Sequence, residues 1–243
     1  MNGSGLLESL ARLLEQNGID LAAWGLAWAR VAPLLAVVPA FGLRALSASV
    51  RAAAALLLAL VIVPAMRPIA NEATPFPVLL LTELARGTVV AVSAAVPLWA
   101  ATMAGGVIDA LRGSQDLVNM PTLEGRATPL GALFSLLAAS MFLGMGGPAH
   151  MLELLATAPP GIADGATSAA RDIAAGVGIA VTLAAPLIAA SIIVEVAGAL
   201  VARAASPAHV HALLAPIRSL ALLVLTALLL DRMATLLAGL TRG

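Results

Sequence analysis

The ionisable side chains that interrupt apolar stretches are the residues of this sequence with the clearest chemical role, which is to form ion pairs. They are Arg30, Arg51, Glu83, Arg86, Asp109, Glu195 and Arg218. A central Arg or Asp in a membrane helix costs about 2.5 to 3.5 kcal/mol, so each of these side chains should face protein groups rather than lipid. Glu83 and Arg86 are three residues apart and share one helical face, where they can form a structural pair that fixes helix register. We predict that all of these charges pair between helices or between subunits.

Motifs for catalysis or metal binding are missing from the sequence. The chain has no Cys, which excludes disulfides, thiolate chemistry and Cys-ligated zinc. His209 and His211 are two residues apart, so they point to different sides of a helix, and no carboxylate is close to them in sequence. We interpret these two and His150 as helix-end or loop residues. Without a nucleophile elbow, P-loop, dinucleotide fingerprint or His-Glu-x-x-His motif, we expect no cofactor, no metal and no enzymatic activity.

The composition describes the elements that must hold these charges. Of the 243 residues, 61% are hydrophobic and 11% are charged, the mean hydropathy is +1.02 and the formal net charge is +0. A soluble domain has about 45–50% apolar and about 25% charged residues, so an ordinary cytosolic enzyme is excluded. The chain also lacks the basic surface that nucleic-acid binding requires. The composition therefore indicates a membrane protein.

Six apolar segments approach the length of about 20 residues that crosses a bilayer. Residues 87–108, 127–149 and 173–194 are free of charge, whereas 21–43, 45–66 and 210–230 each hold one Arg. We predict an all-α chain of helical hairpins with about six apolar helical segments. Before them, the leucines of residues 1–20 are spaced as on one helical face, and this stretch lacks the basic start of a signal peptide. We interpret it as an amphipathic helix that remains in the mature protein.

Small residues and prolines favour packing of these segments against other helices. Ala and Gly permit close approach of backbones. Prolines at 33, 39, 64, 97, 186 and 216 lie inside or near the ends of apolar segments, where each frees a backbone carbonyl that needs a protein partner. Trp24 and Trp28 are four residues apart on one helical face, which we interpret as a membrane-interface anchor. We expect the neighbours of these helices to include other subunits.

The connection after residue 108 mixes helix breakers with apolar side chains. Its central residues are Arg112, Gly113, Ser114, Gln115, Asp116, Leu117, Val118, Asn119, Met120 and Pro121. It is neither a plain polar loop nor a helix. Irregular backbone at membrane depth occurs only where protein buries it or where it lines a pore, so one interpretation is a segment tucked into protein or facing a conduit. The alternative is a surface loop with incidental apolar residues.

Short motifs along the chain resemble a known family. The first group is Leu26-Ala-Trp-Ala-Arg30-Val-Ala-Pro33, Pro39-Ala-Phe41-Gly42 and Val50-Arg51-Ala52. The middle group is Glu83-Leu-Ala-Arg86-Gly87, Gly106-x-x-Asp109-x-x-Arg112-Gly113, Pro129-Leu130-Gly131 and Phe142-x-x-x-Gly146-Gly147. The last group is Pro186-Leu-Ile-Ala-Ala-Ser-Ile-Ile-Val-Glu195, Ala202-Arg203 and Pro216-Ile-Arg218. In this order, they resemble the SpaR/YscT/HrcT (SctT) and FliR family of type III secretion export-apparatus proteins. The Gly-Leu-Ser-Phe-Ala run of flagellar members is absent, which favours the injectisome branch.

The resemblance implies one export-gate domain over residues 1–243 in the bacterial inner membrane, within the basal body of a secretion system. Family members assemble with SctR/FliP-like and SctS/FliQ-like subunits and meet an SctU/FlhB-like switch protein. The assembly surrounds a conduit through which unfolded proteins leave the cytoplasm, and the energy is supplied elsewhere. A loop of the family's subunit acts as a plug, which maps onto residues 112–121 within a plug-like loop of residues 112–128. The resemblance thus implies a non-enzymatic subunit that helps form and seal this conduit.

A small secondary transporter or channel is the alternative function. Its intramembrane charges would bind a solute, and it would act from this chain alone. An inverted repeat would support it, but the Pro and Arg spacings in the two halves of the chain differ. An intramembrane enzyme is disfavoured, because the sequence shows no matched pair of catalytic residues on facing spans.

Overall fold

The computed structural model describes residues 20–41, 47–66, 74–114, 116–119, 126–157, 162–205 and 210–240. Helices dominate these ranges: α1 Leu21–Val37, α2 Ala48–Ile62, α3 Phe76–Arg112, α4 Pro129–Gly144, α5 Gly147–Thr157, α6 Ile162–Ala205 and α7 Val210–Leu240. Short 3-10 turns follow α1 at Pro39–Phe41 and α2 at Val63–Ala65, and two-residue strands, β1 Val118–Asn119 and β2 Arg126–Ala127, precede α4. The predicted all-helical fold is confirmed. The amphipathic helix predicted at residues 1–20 lies outside the described residues, except for its last residue.

Side-chain caps explain where two of the helices begin. The Asp20 carboxylate accepts hydrogen bonds from the amides of Ala22 at 2.8 Å and Ala23 at 3.1 Å, which satisfies two free donors at the start of α1. The Thr128 hydroxyl accepts from the amide of Gly131 at 3.3 Å at the start of α4. Pro129 follows as the first helical residue, where its missing N–H costs nothing.

Prolines lie at the ends of some helices and in the interiors of others. The segment 21–43 is helical only to Val37, because a residue that precedes proline disfavours helical backbone and Pro39 follows closely. The segment 45–66 forms α2 and then a 3-10 turn that contains Pro64. Pro97, Pro186 and Pro216 lie within α3, α6 and α7 respectively.

The charge-free segment 127–149 is not one helix. Its helical part is divided into α4 and α5, whose axes differ by 68°. The break falls at Met145 and Gly146, and Gly146 has a φ of +78°, in the left-handed region that glycine adopts without strain. The structure therefore has seven helices among its described residues, where the sequence predicted about six apolar segments.

Among the described residues, three helices are long and apolar enough to cross a membrane, and the bent pair of α4 and α5 provides a fourth candidate. The three are Ala48–Ala65, which includes the 3-10 turn, Phe76–Arg112 and Asp164–Ala204. Protein surrounds them unequally. In the most apolar window of each helix, 56% of α3 is buried, against 17% for α2 and 28% for α6. Helix α3 is thus the most enclosed of the three, and it carries several of the predicted charges.

The chain divides into two compact units, and α3 and α6 each contribute residues to both. The first unit comprises Met1–Val38, Leu46–Ala94 and Pro148–Ala170. In it α1 packs on α2, and the indole nitrogens of Trp24 and Trp28 donate to the carbonyls of Leu56 at 3.0 Å and Ala52 at 3.1 Å. Each tryptophan proposed as an interface anchor therefore also holds two helices together.

The second unit comprises Pro39–Ala45, Ala95–Gly147 and Arg171–Gly243. In it α4 packs against α7 and against the 3-10 turn Pro39–Phe41. The rings of Phe41 and Phe142 meet edge to face with their centroids 6.3 Å apart, a favoured arrangement for an aromatic pair.

Candidate functional site

A buried carboxylate that is shared by two arginines forms the polar centre of the first unit. The side chains of Glu83 and Arg30 are only 2% and 4% exposed. Glu83 Oε2 accepts from Arg30 Nε at 2.5 Å, and its other oxygen, Oε1, accepts from Arg86 Nη1 at 2.7 Å. The sequence predicted the pair within α3 from its three-residue spacing. It did not reveal that Arg30, 53 residues away, binds the same carboxylate.

Arg30 also connects this cluster to a third helix. Its Nη1 atom donates to the carbonyl oxygen of Leu155 in α5 at 2.8 Å. A glycine permits the close approach of α1 to α3, since a Cβ at Gly87 would overlap the backbone carbonyl of Arg30. The Glu83 cluster, defined as Arg30, Glu83 and Arg86, therefore joins α1, α3 and α5 where the backbones of α1 and α3 touch.

The second unit has its own buried carboxylate at the far end of α3. Asp109 is 0% exposed. Its Oδ1 atom accepts from Arg112 Nη1 at 2.8 Å, and its Oδ2 atom accepts from the backbone amide of Leu130 at 2.6 Å. Leu130 lies in the first turn of α4, where free amides and the helix dipole favour a negative charge. One carboxylate therefore binds a cation on its own helix and also the start of the next helix.

Arg112 extends this second cluster to α7, because its Nε atom donates to the hydroxyl of Ser219 at 3.2 Å. Glycine again permits close helix contact, since a Cβ at Gly105 would overlap the backbone of Leu130. The Asp109 cluster, defined as Asp109, Arg112, the Leu130 amide and Ser219, joins α3, α4 and α7. Leu130 was marked only as part of a family motif and Ser219 not at all, and nothing in their types or spacing predicts these contacts.

A fourth ion pair joins α6 and α7, and it is much more exposed than the other three. Arg218 Nη1 contacts Glu195 Oε1 at 2.5 Å, and the two side chains are 31% and 52% exposed. The Nε atom of Arg218 is buried, with no hydrogen-bond partner among the described residues. The remaining predicted charge, Arg51, lies in the first turn of α2 and is partly buried. The structure thus places the other six charges in two buried clusters and one half-exposed pair.

The predicted plug loop begins as helix and continues as a short strand pair. Arg112 is the last residue of α3. Gly113, with a φ of +74°, ends the helix, and Asp116, Leu117 and Val118 are exposed. Val118 and Asn119 pair antiparallel with Ala127 and Arg126 respectively. Gln115, Met120 and Pro121 lie outside the described residues.

Many of the exposed side chains that the structure describes on α6 and α7 are large and apolar. They include Ile173, Val177, Val181, Ile192, Ile193, Val196, Leu200 and Val201 on α6, and Ile217, Leu220, Leu223, Val224, Leu228 and Leu230 on α7. Large exposed apolar patches mark surfaces that contact lipid or other proteins. We call this set the α6–α7 face.

Among the described residues, no group of three or more His, Asp or Glu side chains is arranged to hold a metal ion. His150 is exposed on α5. His209 lies outside the described part of the chain.

A chain of long apolar helices, with buried ion pairs between them and an apolar outer face, belongs to the class of multi-helix membrane proteins. Comparison with protein families identifies the group within this class. Residues 21–243 match the family model described as bacterial export proteins, family 1, so the chain is a member of this export-protein family. The match confirms the FliR/SctT family that the motifs resembled. No curated protein sequence matches the chain significantly.

Proposed function

We propose that this protein is the SctT/FliR-type core subunit of a type III secretion export apparatus, of the injectisome branch, in the bacterial inner membrane. It helps form and seal the central conduit for unfolded exported proteins, and it acts without catalysis while energy is supplied elsewhere. The family match over residues 21–243 is the observation that carries this proposal. The buried clusters agree with it, because they use their charges to hold helices together.

The partners in this proposal are SctR/FliP-like and SctS/FliQ-like subunits, together with an SctU/FlhB-like switch protein. The α6–α7 face supports contact with helical partners for an electrostatic reason. Glu195 is half exposed between Ile192 and Val196 on this face, and a carboxylate in contact with lipid chains is strongly unfavourable. A protein neighbour that covers Glu195 can offer it a second hydrogen-bond donor.

The loop of residues 112–121 is the seal in this proposal. It lies in the conduit at rest and moves aside when a substrate enters. Exposed Leu117 and Val118 beside the charged Asp116 support this role, since a seal needs apolar contact to exclude ions and polar groups that tolerate water on release. Deletion of the loop should raise the leak of small ions through the assembled apparatus. An ion leak that is the same with and without the loop would contradict its role as a plug.

Co-purification followed by native mass measurement tests the proposed assembly. The tagged chain should be extracted with several copies of two smaller helical proteins. A transporter or channel would instead be extracted alone or as a homo-oligomer, and its solute flux would persist in vesicles that contain only this chain. Recovery of the chain alone, under conditions that preserve other membrane complexes of the same cells, would contradict the proposal.

A further inference from the structure

Both ends of the strand-paired loop meet at one buried carboxylate. On the outgoing side, Arg112 binds Asp109 Oδ1 at 2.8 Å, and the amide of Ser114 donates to the backbone carbonyl of Asp109 at 3.0 Å. On the returning side, the amide of Leu130 donates to Asp109 Oδ2 at 2.6 Å. Asp109 is therefore hydrogen-bonded to the residues on either side of the loop, and it is fully buried.

Each end of the loop is also fixed locally. Gly113 ends α3 in the left-handed conformation, and its amide donates to the carbonyl of Ala110 at 3.1 Å. Thr128 caps α4 through its hydroxyl, and its carbonyl accepts from the amide of Ala132 at 2.8 Å. Between these two points, β1 and β2 pair with Val118 opposite Ala127. The backbone thus leaves and re-enters the helical core at defined positions.

We propose that Asp109 is a positioning residue that closes the base of this loop and thereby aligns its two strands. The role of the aligned loop as a seal rests on the proposed function, but the alignment itself does not. Hydrogen bonds to a carboxylate are about twice as strong as neutral ones, and burial of Asp109 keeps water from competing for them. Asp109→Asn keeps one oxygen for the Leu130 amide but turns a donor group toward the guanidinium of Arg112, so the base should loosen.

A disulfide between the strands can measure this alignment. The chain has no Cys, so Val118→Cys and Ala127→Cys would create the only possible pair within it. Opposite residues in antiparallel strands have Cα atoms about 4.5 to 5.5 Å apart, which suits a disulfide. The measurement is the rate of disulfide formation under mild oxidant, in inner membranes of cells that make the complete export apparatus.

Asp109→Asn in this double-Cys chain should slow disulfide formation on the order of tenfold, the factor that corresponds to about 1.4 kcal/mol lost from the aligned state. Glu83→Gln is the matched control. It removes a buried carboxylate from the same helix, again with an Arg three residues later, and the hydrogen bonds that the structure shows for it go to Arg30 and Arg86. In assembled complexes the Glu83→Gln chain should form the disulfide at the parent rate. A parent-like rate in Asp109→Asn, or equal slowing in both variants, would overturn the proposal.

Ser219→Ala provides a second test if Asp109→Asn prevents folding. It removes the hydroxyl that binds Arg112 and leaves the carboxylate intact, so it should slow the disulfide about threefold, as expected for one ordinary hydrogen bond. An unchanged rate in Ser219→Ala, with Asp109→Asn unfolded, would overturn the proposal.

Ion leak, measured on the same membranes, separates this inference from the seal. Slowed disulfide formation with no leak after loop deletion would support Asp109 as the positioning residue and contradict the plug. Leak after loop deletion, with disulfide formation in Asp109→Asn as fast as in the parent, would support the plug and contradict Asp109 as the positioning residue.

Discussion

The Glu83 cluster and the Asp109 cluster are two solutions to one problem on the same helix. Each places a carboxylate that is at most 2% exposed on α3 and pairs it with an arginine three residues later. They differ in the third partner. Glu83 binds a second arginine, Arg30 of α1, whereas Asp109 binds the backbone amide of Leu130 at the start of α4. The same carboxylate–arginine pair on α3 therefore binds the side of α1 in the first cluster and the N-terminal end of α4 in the second.

The third partner also changes the charge balance. In the Glu83 cluster two guanidinium groups share one carboxylate, and Arg30 also donates to the Leu155 carbonyl. The Asp109 cluster has one of each charge, and the α4 dipole adds a favourable interaction. Loss of the Glu83 carboxylate would take an ion-pair partner from two arginines, and loss of Asp109 from one, so the first cluster should be the more sensitive to loss of its carboxylate.

The largest effect that we expect in this comparison is that of Glu83→Ala. The change removes the carboxylate that binds both Arg30 and Arg86, and removal of one partner from a buried ion pair costs about 3 to 5 kcal/mol. The free energy of unfolding in detergent and the yield of assembled complex should both fall sharply. Glu83→Gln also loses the charge but keeps an oxygen that can accept from an arginine, so it should be destabilised less than Glu83→Ala. Wild-type stability and assembly in Glu83→Ala would contradict the assignment of this cluster to helix pairing.

Gly87→Ala should have the next largest effect, because it acts on the backbone contact that brings Arg30 to Glu83. The new methyl group would overlap the Arg30 carbonyl, so α1 must shift. Overpacking of this kind costs about 1 to 3 kcal/mol, measured as the loss of unfolding free energy in detergent.

Gly178→Ala on α6 is the control for helix propensity. A Cβ at Gly178 would meet nothing within 4 Å, so this change should be neutral or stabilising by up to about 1 kcal/mol. Equal effects of the two substitutions would show that the Gly87 contact does not limit the approach of α1.

Composition and spacing predicted the all-helical fold and the local half of the first cluster. The charge-free stretches became helices because apolar side chains and internally bonded backbone are what a membrane helix requires. The Glu83–Arg86 pair was predictable because three residues of a helix bring side chains to one face. The same spacing relates Asp109 to Arg112, so that pair was also open to prediction, although Arg112 was assigned to the plug loop.

Hydrogen-bond and ion-pair partners that tertiary packing brings together could not be predicted from the sequence. Arg30 binds Glu83 across 53 residues, and Arg112 binds Ser219 across 107, distances at which helical periodicity carries no information. The break between α4 and α5 was missed for a different reason. Gly146 is followed by Gly147 and Pro148, which together mark a helix end, but the stretch was interpreted from its lack of charge alone.

Glu195→Gln should have the smallest effect on the isolated chain, and this sharpens the contrast with the buried clusters. The side chains of Glu195 and Arg218 are 52% and 31% exposed, and exposed ion pairs contribute about 0 to 1 kcal/mol. The unfolding free energy in detergent should therefore hardly change. In the membrane the surroundings of the same carboxylate differ, because its neighbours Ile192 and Val196 are exposed and would otherwise place it against lipid.

If protein covers the α6–α7 face, Glu195 contributes to the contact between subunits, and Glu195→Gln should reduce the yield of assembled complex although the chain stays folded. The matched control is Ile193→Leu, an apolar change of the same size at an exposed position on this face. A complex that is assembled equally well from both variants would show that this carboxylate has no role in the contact. In that case the buried carboxylates of α3 would be the charges that matter for stability and assembly. The Glu195–Arg218 pair would only join α6 to α7 within the chain.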